Sequence, residues 1–464
     1  MKKGKLTALF LVVAIVAGLF AACSPNSSPT DSQGGSAPSP TDSQGGSAPN
    51  PGDPSAPPAY DPDDTTPASL TICTWWGGNV FKTLKAVIDE FTADNPHITV
   101  EPLLWPYGQD YEQKLIVATA ADQQPDLITM VDTTFAKFWF GGVLEPLDFY
   151  LDAIDYDTGR WLPGVKELHT FDGKIVAMPL HREQRVTWYN VDLFKEAGLP
   201  DLPQQPTWDD IEHAARTISE MGTNAAGKQV YGVRIHQDYW CCLGGYLNDM
   251  GLPIEGDADS GRFYTPERVV AAERLFNMMI NYGPSTGLTF EPMISGFLGI
   301  DIGQPTGFVN EAGREVRFET RMVNLPVVDA SKGQSVTVSC NSLGMGNQSK
   351  YKPAATKLLA ALTSPEAEEK MKAFVLTPSS GAVYDELLAP KDTFPYDSFQ
   401  VLDPKPGARF NVWPKFDWVT SVGASFDAVI NGDTTVEDYF LEGQDNIDNY
   451  LISPGRNPLA SVED

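Results

Sequence analysis

From Ser69 onward, short apolar runs alternate with stretches of helical period, and that alternation restricts the body of the chain to α/β architecture. Residues 70–74 form a first apolar run, followed by the turn Gly77-Gly78-Asn79. Phe81, Leu84, Ile88 and Phe91 then recur at the spacing of one helix face until Asn95-Pro96 stops them. Residues 98–100 begin a second strand, and residues 127–131 are a continuous apolar run of the kind a buried parallel strand needs. Asp110 with Gln113 reads as a capping box opening a helix over 111–120. Thr207 with Asp210, Thr265 before Pro266, Ser364 before Pro365 and Thr435 with Asp438 read as further helix starts.

The first 68 residues do not share this texture. Lys2, Lys3 and Lys5 precede an apolar stretch over 6–20, and Ala21-Ala22 supplies the small residues of a signal cleavage site. Cys23 follows at once, so residues 1–22 resemble a lipoprotein signal peptide, with Phe20 standing where an aliphatic residue is usual. The expectation is lipidation at Cys23 by acyl chains such as palmitate, each buried methylene contributing roughly 0.8 kcal/mol of membrane affinity. Residues 23–68 then form a linker in which TDSQGGSAPSP over 30–40 recurs as TDSQGGSAPNP over 41–51. Its Ser, Pro and Gly content cannot bury enough apolar surface to offset ordering entropy, and a flexible tether of this length spans about 35–40 Å. No later run reaches the roughly 18 apolar residues of a membrane span.

Charge and motifs narrow the chemistry. The chain carries 33 Lys+Arg against 61 Asp+Glu, a formal net charge of −28, which argues against nucleic acid and anionic membrane surfaces as partners. Neither Gly-x-Ser-x-Gly nor His-Glu-x-x-His occurs, and the five histidines are scattered without metal-ligand spacing, so no metal or cofactor is expected. Residues 222–228 match a phosphate loop until Gln229 replaces the required hydroxyl residue, and a turn after a helix explains them. Once Cys23 is set aside, Cys73, Cys241, Cys242 and Cys340 permit disulfides or buried free thiols, and their spacing does not choose between these.

In open parallel sheets ligands sit beyond the carboxyl ends of strands. Two such ends are followed by Trp75-Trp76-Gly77-Gly78 and by Asp132, and Trp105 and Tyr107 lie beyond a third. Aromatic faces for a sugar ring's C–H surface, beside carboxylates or amides for its hydroxyls, are what carbohydrate recognition needs. Strand alternation sends one of Trp75 and Trp76 to each side.

An ordered series of segments then resembles the family 1 extracellular solute-binding proteins, the receptors of sugar-importing ABC transporters. The series comprises WWGG at 75–78, YEQKL at 111–115, QPDL at 124–127 leading to Asp132, GVLEPL at 142–147, DGK at 172–174 and MPL at 178–180. It continues with YNVDLFKEAGL at 189–199, TWDD at 207–210 and residues 352–367. The resemblance implies an α/β, two-lobed, periplasmic-binding-protein-like fold with a hinge and an inter-lobe ligand cleft. It assigns residues 69–180 plus 302–342 to lobe 1 and 181–301 plus 343–464 to lobe 2, with crossings near 179–185, 300–303 and 341–344. Cys340-Asn341-Ser342-Leu343 departs from the family's usual Gly-Gly-Trp run, and residues 293–309 match poorly.

Carried over by position, the ligand-binding residues are Trp75, Trp76, Trp105, Asp132, His181, Arg182, Glu183, Trp240, Asn341, Trp413 and Asp417, with none catalytic. Arg182 and Glu183 also fit a structural ion pair, whereas Trp188, Tyr189 and Trp208 fall in scaffold motifs and read as packing. The function implied is a monomeric, lipid-anchored receptor on the extracellular face of the cell membrane. It would bind a carbohydrate, an oligosaccharide by preference, and deliver it to ABC permease subunits. A secreted glycoside hydrolase using paired carboxylates is the alternative, and a receptor for a peptide or polyamine is a third reading.

Overall fold

The computed structural model describes residue 61 and residues 64–162, 164–236, 242–256, 260–284, 295–303, 318–333, 335–371, 409–411 and 426–452. The leader, Cys23, most of the linker, Trp240, Cys241, Trp413 and Asp417 lie outside the described residues. Pro57–Asp464 form one compact unit.

The first sheet grows from local pattern. Strand β1 (Ala68–Thr74) pairs in parallel with β2 (Ile98–Leu104), in register from Ala68↔Ile98 to Thr74↔Leu104. On its other side β1 pairs in parallel with β3 (Leu127–Val131) through Ile72↔Leu127 and Cys73↔Ile128. Helix α1 (Gly78–Asp94) joins β1 to β2 and buries Leu84, Val87, Ile88 and Phe91. Burying each such side chain contributes about 1.5–3 kcal/mol relative to exposure. Helix α2 (Gln109–Ala120) joins β2 to β3 and buries Tyr111 and Leu115. Its N-cap is Gly108 at φ 101°, with no side-chain cap, so Asp110 and Gln113 do not form the expected capping box. The glycine's left-handed backbone turns the chain two residues earlier and leaves Asp110 in the first turn, where it favours the helix dipole. Helix α3 (Asp132–Phe140) follows β3 directly. A hairpin of β4 (Thr170–Phe171) and β5 (Lys174–Ile175) turns at Asp172 and Gly173, both at positive φ, the conformation that an Asp-Gly pair favours.

Strand β6 (Met178–Gln184) belongs to the first sheet and β7 (Val186–Asn190) to the second, so the chain changes lobes at Arg185. The second sheet adds β8 (Tyr231–Ile235), β11 (Leu298–Gly303) and β12 (Thr320–Val323), ordered β12-β7-β11-β8. Between them a small hairpin pairs β9 (Glu255–Gly256) with β10 (Gly261–Arg262). The chain returns between Val323 and β13 (Ser335–Met345), which runs antiparallel to both β3 and β6 and parallel to β14 (Arg409–Asn411). The first sheet is thus ordered β14-β13-β3-β1-β2, with β6 also on β13.

Two separate cores result. One draws on residues 68–180 and 336–371, the other on residues 189–325 and 426–447. This divides the later chain differently from the expected boundaries: β12 lies in the second lobe's sheet, and the helices Lys352–Leu362 and Pro365–Met371 pack into the first core. Two expected crossings also fall inside lobes. Residues 300–303 sit mid-sheet in β11 between β7 and β8, and residues 341–344 pair with β3. Both are buried strand segments of mixed polarity, Asp301, Asn341 and Ser342 among them, and their pairing partners lie far away along the chain. The phosphate-loop lookalike is a turn: Gly222 and Gly227 take positive φ, and Asn224 Oδ1 accepts from the backbone N–H of Ala226 and Lys228.

Candidate ligand-binding site

The connections fix where a crevice opens. From β1 the chain moves to β2 on one side, then passes back to β3 on the other. Successive crossovers therefore diverge at the carboxyl ends of β1 and β3, the switch point at which open α/β sheets bind ligands. The β1–β3 ladder ends at Cys73↔Ile128, and the strands part beyond it. Trp75 and Trp76 leave β1 at this edge, Trp105 leaves β2 and Asp132 leaves β3. Asn341 of β13 stands opposite Val131 and opposite His181 of β6, so the register brings Asn341, His181, Arg182 and Glu183 to the same edge.

The aromatic side chains there form one connected group. The Trp75 ring lies 5.8 Å from Trp76, 5.2 Å from Tyr107 and 5.1 Å from Tyr111, the last edge-on at 88°. Trp105 lies 5.8 Å from Tyr111, and Lys114 Nζ sits 4.4 Å from its ring centroid. Trp75 and Trp76 are both half-buried, so neither is committed to the core in the way strand alternation suggested. Trp105 is 9% exposed and covered by Lys114, whereas Tyr107 is 66% exposed. Of the aromatics beyond the strand ends, Trp75, Trp76 and Tyr107 thus present open surface, and Trp105 is linked to Trp75 through the Tyr111 ring.

The polar members are buried and held. Asp132 is 5% exposed, opens α3, and accepts from Thr133 N at 3.0 Å, where the helix's amino end favours its carboxylate. Asn341 is 8% exposed and sits at a bulge where the β13–β6 register shifts before Ser342. A bulge re-aims side chains, and this one is held by Ser342 Oγ, 2.7 Å from His169 Nε2. Arg182 is fully buried, opposite Cys340. Trp188, Tyr189 and Trp208 are all buried in their lobe, as packing requires. Cys73, Cys242 and Cys340 are buried, and none of the three is in a disulfide. Among the described residues no cluster of His, Cys, Asp or Glu is arranged to hold a metal ion, and no helix is long and apolar enough to cross a membrane.

Tyr111, Lys114, His169 and Ser342 are not among the expected ligand-binding residues. Tyr111 and Leu115 share a helix face by spacing alone, which reads as core, and nothing local marks a tyrosine whose ring meets two indoles.

Bacterial extracellular solute-binding proteins match residues 76–369, more than half of the chain, and the chain belongs to that family. A binding protein of Brucella abortus (strain 2308) is 30% identical over 195 residues, covering 42% of this chain and 45% of the relative. The sn-glycerol-3-phosphate-binding periplasmic protein UgpB of Escherichia coli (strain K12) is 28% identical over 166 residues, covering 33% of this chain and 37% of the relative. The chain therefore matches less than half the length of these relatives. Its fold is that of two-lobed, MalE-like receptors. An ABC substrate-binding protein of Listeria monocytogenes in complex with cycloalternan superposes with a TM-score of 0.65 at 23% identity, covering 82% of this chain and 98% of that one. A solute-binding protein of Agrobacterium vitis S4 with bound D-mannitol gives 0.64 at 25% identity, with the same coverage. UgpB of Mycobacterium tuberculosis in complex with glycerophosphocholine gives 0.66 at 17%, covering 82% and 97%.

Proposed function

We propose that the protein is a carbohydrate receptor anchored outside the cell membrane through Cys23, which hands its ligand to an ABC importer. The observation that carries this reading is the connected aromatic group beside Asp132 and Asn341 at the carboxyl ends of β1 and β3. Trp75, Trp76 and Tyr107 offer ring faces, and the carboxylate and amide take paired hydroxyls. Arg185, where β6 passes into β7, sits at a crossing about which the lobes close, and ligand favours closure only through contacts made better in the closed state. His181, Arg182 and Glu183 of β6 are proposed as further contacts, and so are Trp240, Trp413 and Asp417.

A second reading is a glycerol phosphodiester or phosphomonoester. It is favoured by the similarity to the UgpB proteins and by the amino end of α1, which opens at Gly77 with no side-chain cap on the same edge. A melting-temperature screen separates the two, because a ligand at a hundredfold its Kd stabilises the native state by about 2.7 kcal/mol. D-mannitol, mannobiose and mannotriose form one arm, and sn-glycerol 3-phosphate and glycerophosphocholine the other. A rise with the neutral sugars alone supports the first reading, a rise with the phosphates alone the second. Recovery of an oligosaccharide intact supports a receptor, while shorter products would establish a hydrolase. Cys23→Ser should release the protein from the membrane fraction, and retention would refute the anchor.

A further inference from the structure

We infer that Tyr111 is a positioning residue for this site: it makes no ligand contact itself, and its hydroxyl fixes the ring against which Trp75 and Trp105 are set. The inference rests on the carbohydrate-receptor reading above and adds to it how the aromatic surface is held.

Tyr111 is 3% exposed in the first turn of α2. Its hydroxyl donates to the carbonyl of Thr129 at 2.8 Å, one residue beyond the last registered pair of the β1–β3 ladder. Cys73 Sγ of β1 lies 3.0 Å from the same oxygen. Burial pushes the thiol up to about 12 and the phenol well above its ordinary range, so both keep their protons. The hydroxyl's only proton is directed at Thr129, and the thiol donates in turn to the hydroxyl oxygen. This chain, thiol to hydroxyl to carbonyl, ties α2 to both strands at the place where they part. The ring it holds meets Trp75 edge-on at 5.1 Å and Trp105 at 5.8 Å. Trp75 in turn touches the exposed Tyr107 and Trp76, so an error in the placement of Tyr111 is passed to every open ring of the crevice. A stacking surface fixed before the ligand arrives spares the ordering cost of fixing it on binding.

The test uses Tyr111→Phe, Tyr111→Leu and Cys73→Ala, with Tyr150→Phe as a control. Tyr150 belongs to the same lobe and its hydroxyl donates to Glu145 Oε1 at 2.8 Å. Glu145 N bonds Met345 O, and Met345 stands opposite Leu127, at the far end of β3 from the crevice. Two quantities are read: acrylamide quenching of tryptophan in the ligand-free protein, and the Kd for D-mannitol and mannotriose. Tyr111→Phe should raise Kd about three- to tenfold, the worth of one net hydrogen bond, and Tyr111→Leu should raise it further. Both should increase quenching, Cys73→Ala should do so more weakly, and Trp75→Phe should remove most of the increase. Tyr150→Phe should lower the melting temperature while leaving quenching and Kd at wild-type values. Unchanged quenching and Kd in Tyr111→Leu, or equal changes in Tyr150→Phe, would overturn the inference. If the wild type binds neither probe, the receptor reading fails in that arm, and quenching alone decides the role of Tyr111.

Discussion

Arg234 and Asp301 face each other across β8 and β11, at 4% and 2% side-chain exposure, with guanidinium–carboxylate distances of 2.9–3.1 Å. Neither belongs to the crevice, and their burial is supportable only as a pair. Removing one partner strands a charge in the sheet, so Asp301→Ala should cost about 3–5 kcal/mol in urea unfolding, far beyond an ordinary surface change. Cys73 gives a pH-dependent prediction of defined sign. Its folded value of about 12 lies above the ordinary 9.0, so its contribution is complete below about pH 9 and is lost as pH rises toward 12. Native stability should fall through that window, and Cys73→Ala should lessen the slope by up to about 1.4 kcal/mol per pH unit. An unchanged slope in the variant would mean that the thiol ionises freely in the fold. At this scale the sequence revealed residues that follow strand ends, because the carboxyl ends of parallel strands can be found from the apolar runs before them. Trp75, Trp76 and Asp132 were legible in that way. Tyr107 was visible in the loop beyond β2, but nothing set it apart from Trp105, which the structure covers with Lys114. The hydrogen bond between Ser342 and His169 joins residues 173 apart and leaves no local trace.

Among the elements, the helix Trp208–Glu220 shows how much local chemistry decides. Thr207 Oγ1 accepts from Asp210 N at 3.2 Å, and Asp210 Oδ2 accepts from Thr207 N at 2.8 Å, a complete capping box. Thr207→Ala should destabilise the protein by about 1 kcal/mol in denaturant titration. The same helix lies on β8 at Gly232, where an added Cβ would fall 2.0 Å from the carbonyl oxygen of Ala215. Backbone cannot yield there as a side chain would, so Gly232→Ala should cost about 1–3 kcal/mol by overpacking. A Gly232→Ala variant as stable as wild type would show that the helix sits farther from the sheet. Caps and amphipathic stripes made the helices legible from sequence. Strand partners were not, because β12 pairs with β7 from 130 residues away, Thr320 against Asn190, and no period in either segment records it. The family resemblance put crossings at residues 300–303 and 341–344, although each lies within an interior strand.

In the whole molecule, two cores with separate sheets are joined where β6 passes to β7 and where β12 returns to β13. The first sheet's parallel trio places its carboxyl ends, and with them the indoles and Asp132, along one edge. Two-lobed architecture was legible because the family's segments recur in order. The lobe boundaries were not, since the helices of residues 352–371 return to the first core after the chain has visited the second. Carbohydrate capture at this edge is tested most sharply by a crystal structure with whichever neutral sugar raises the melting temperature most. A sugar ring should lie against Trp75 or Trp76 at the carboxyl ends of β1 and β3, with Asp132 or Asn341 on its hydroxyls and the second lobe closed over it. A sugar bound elsewhere, or at that edge without touching either indole, would contradict it.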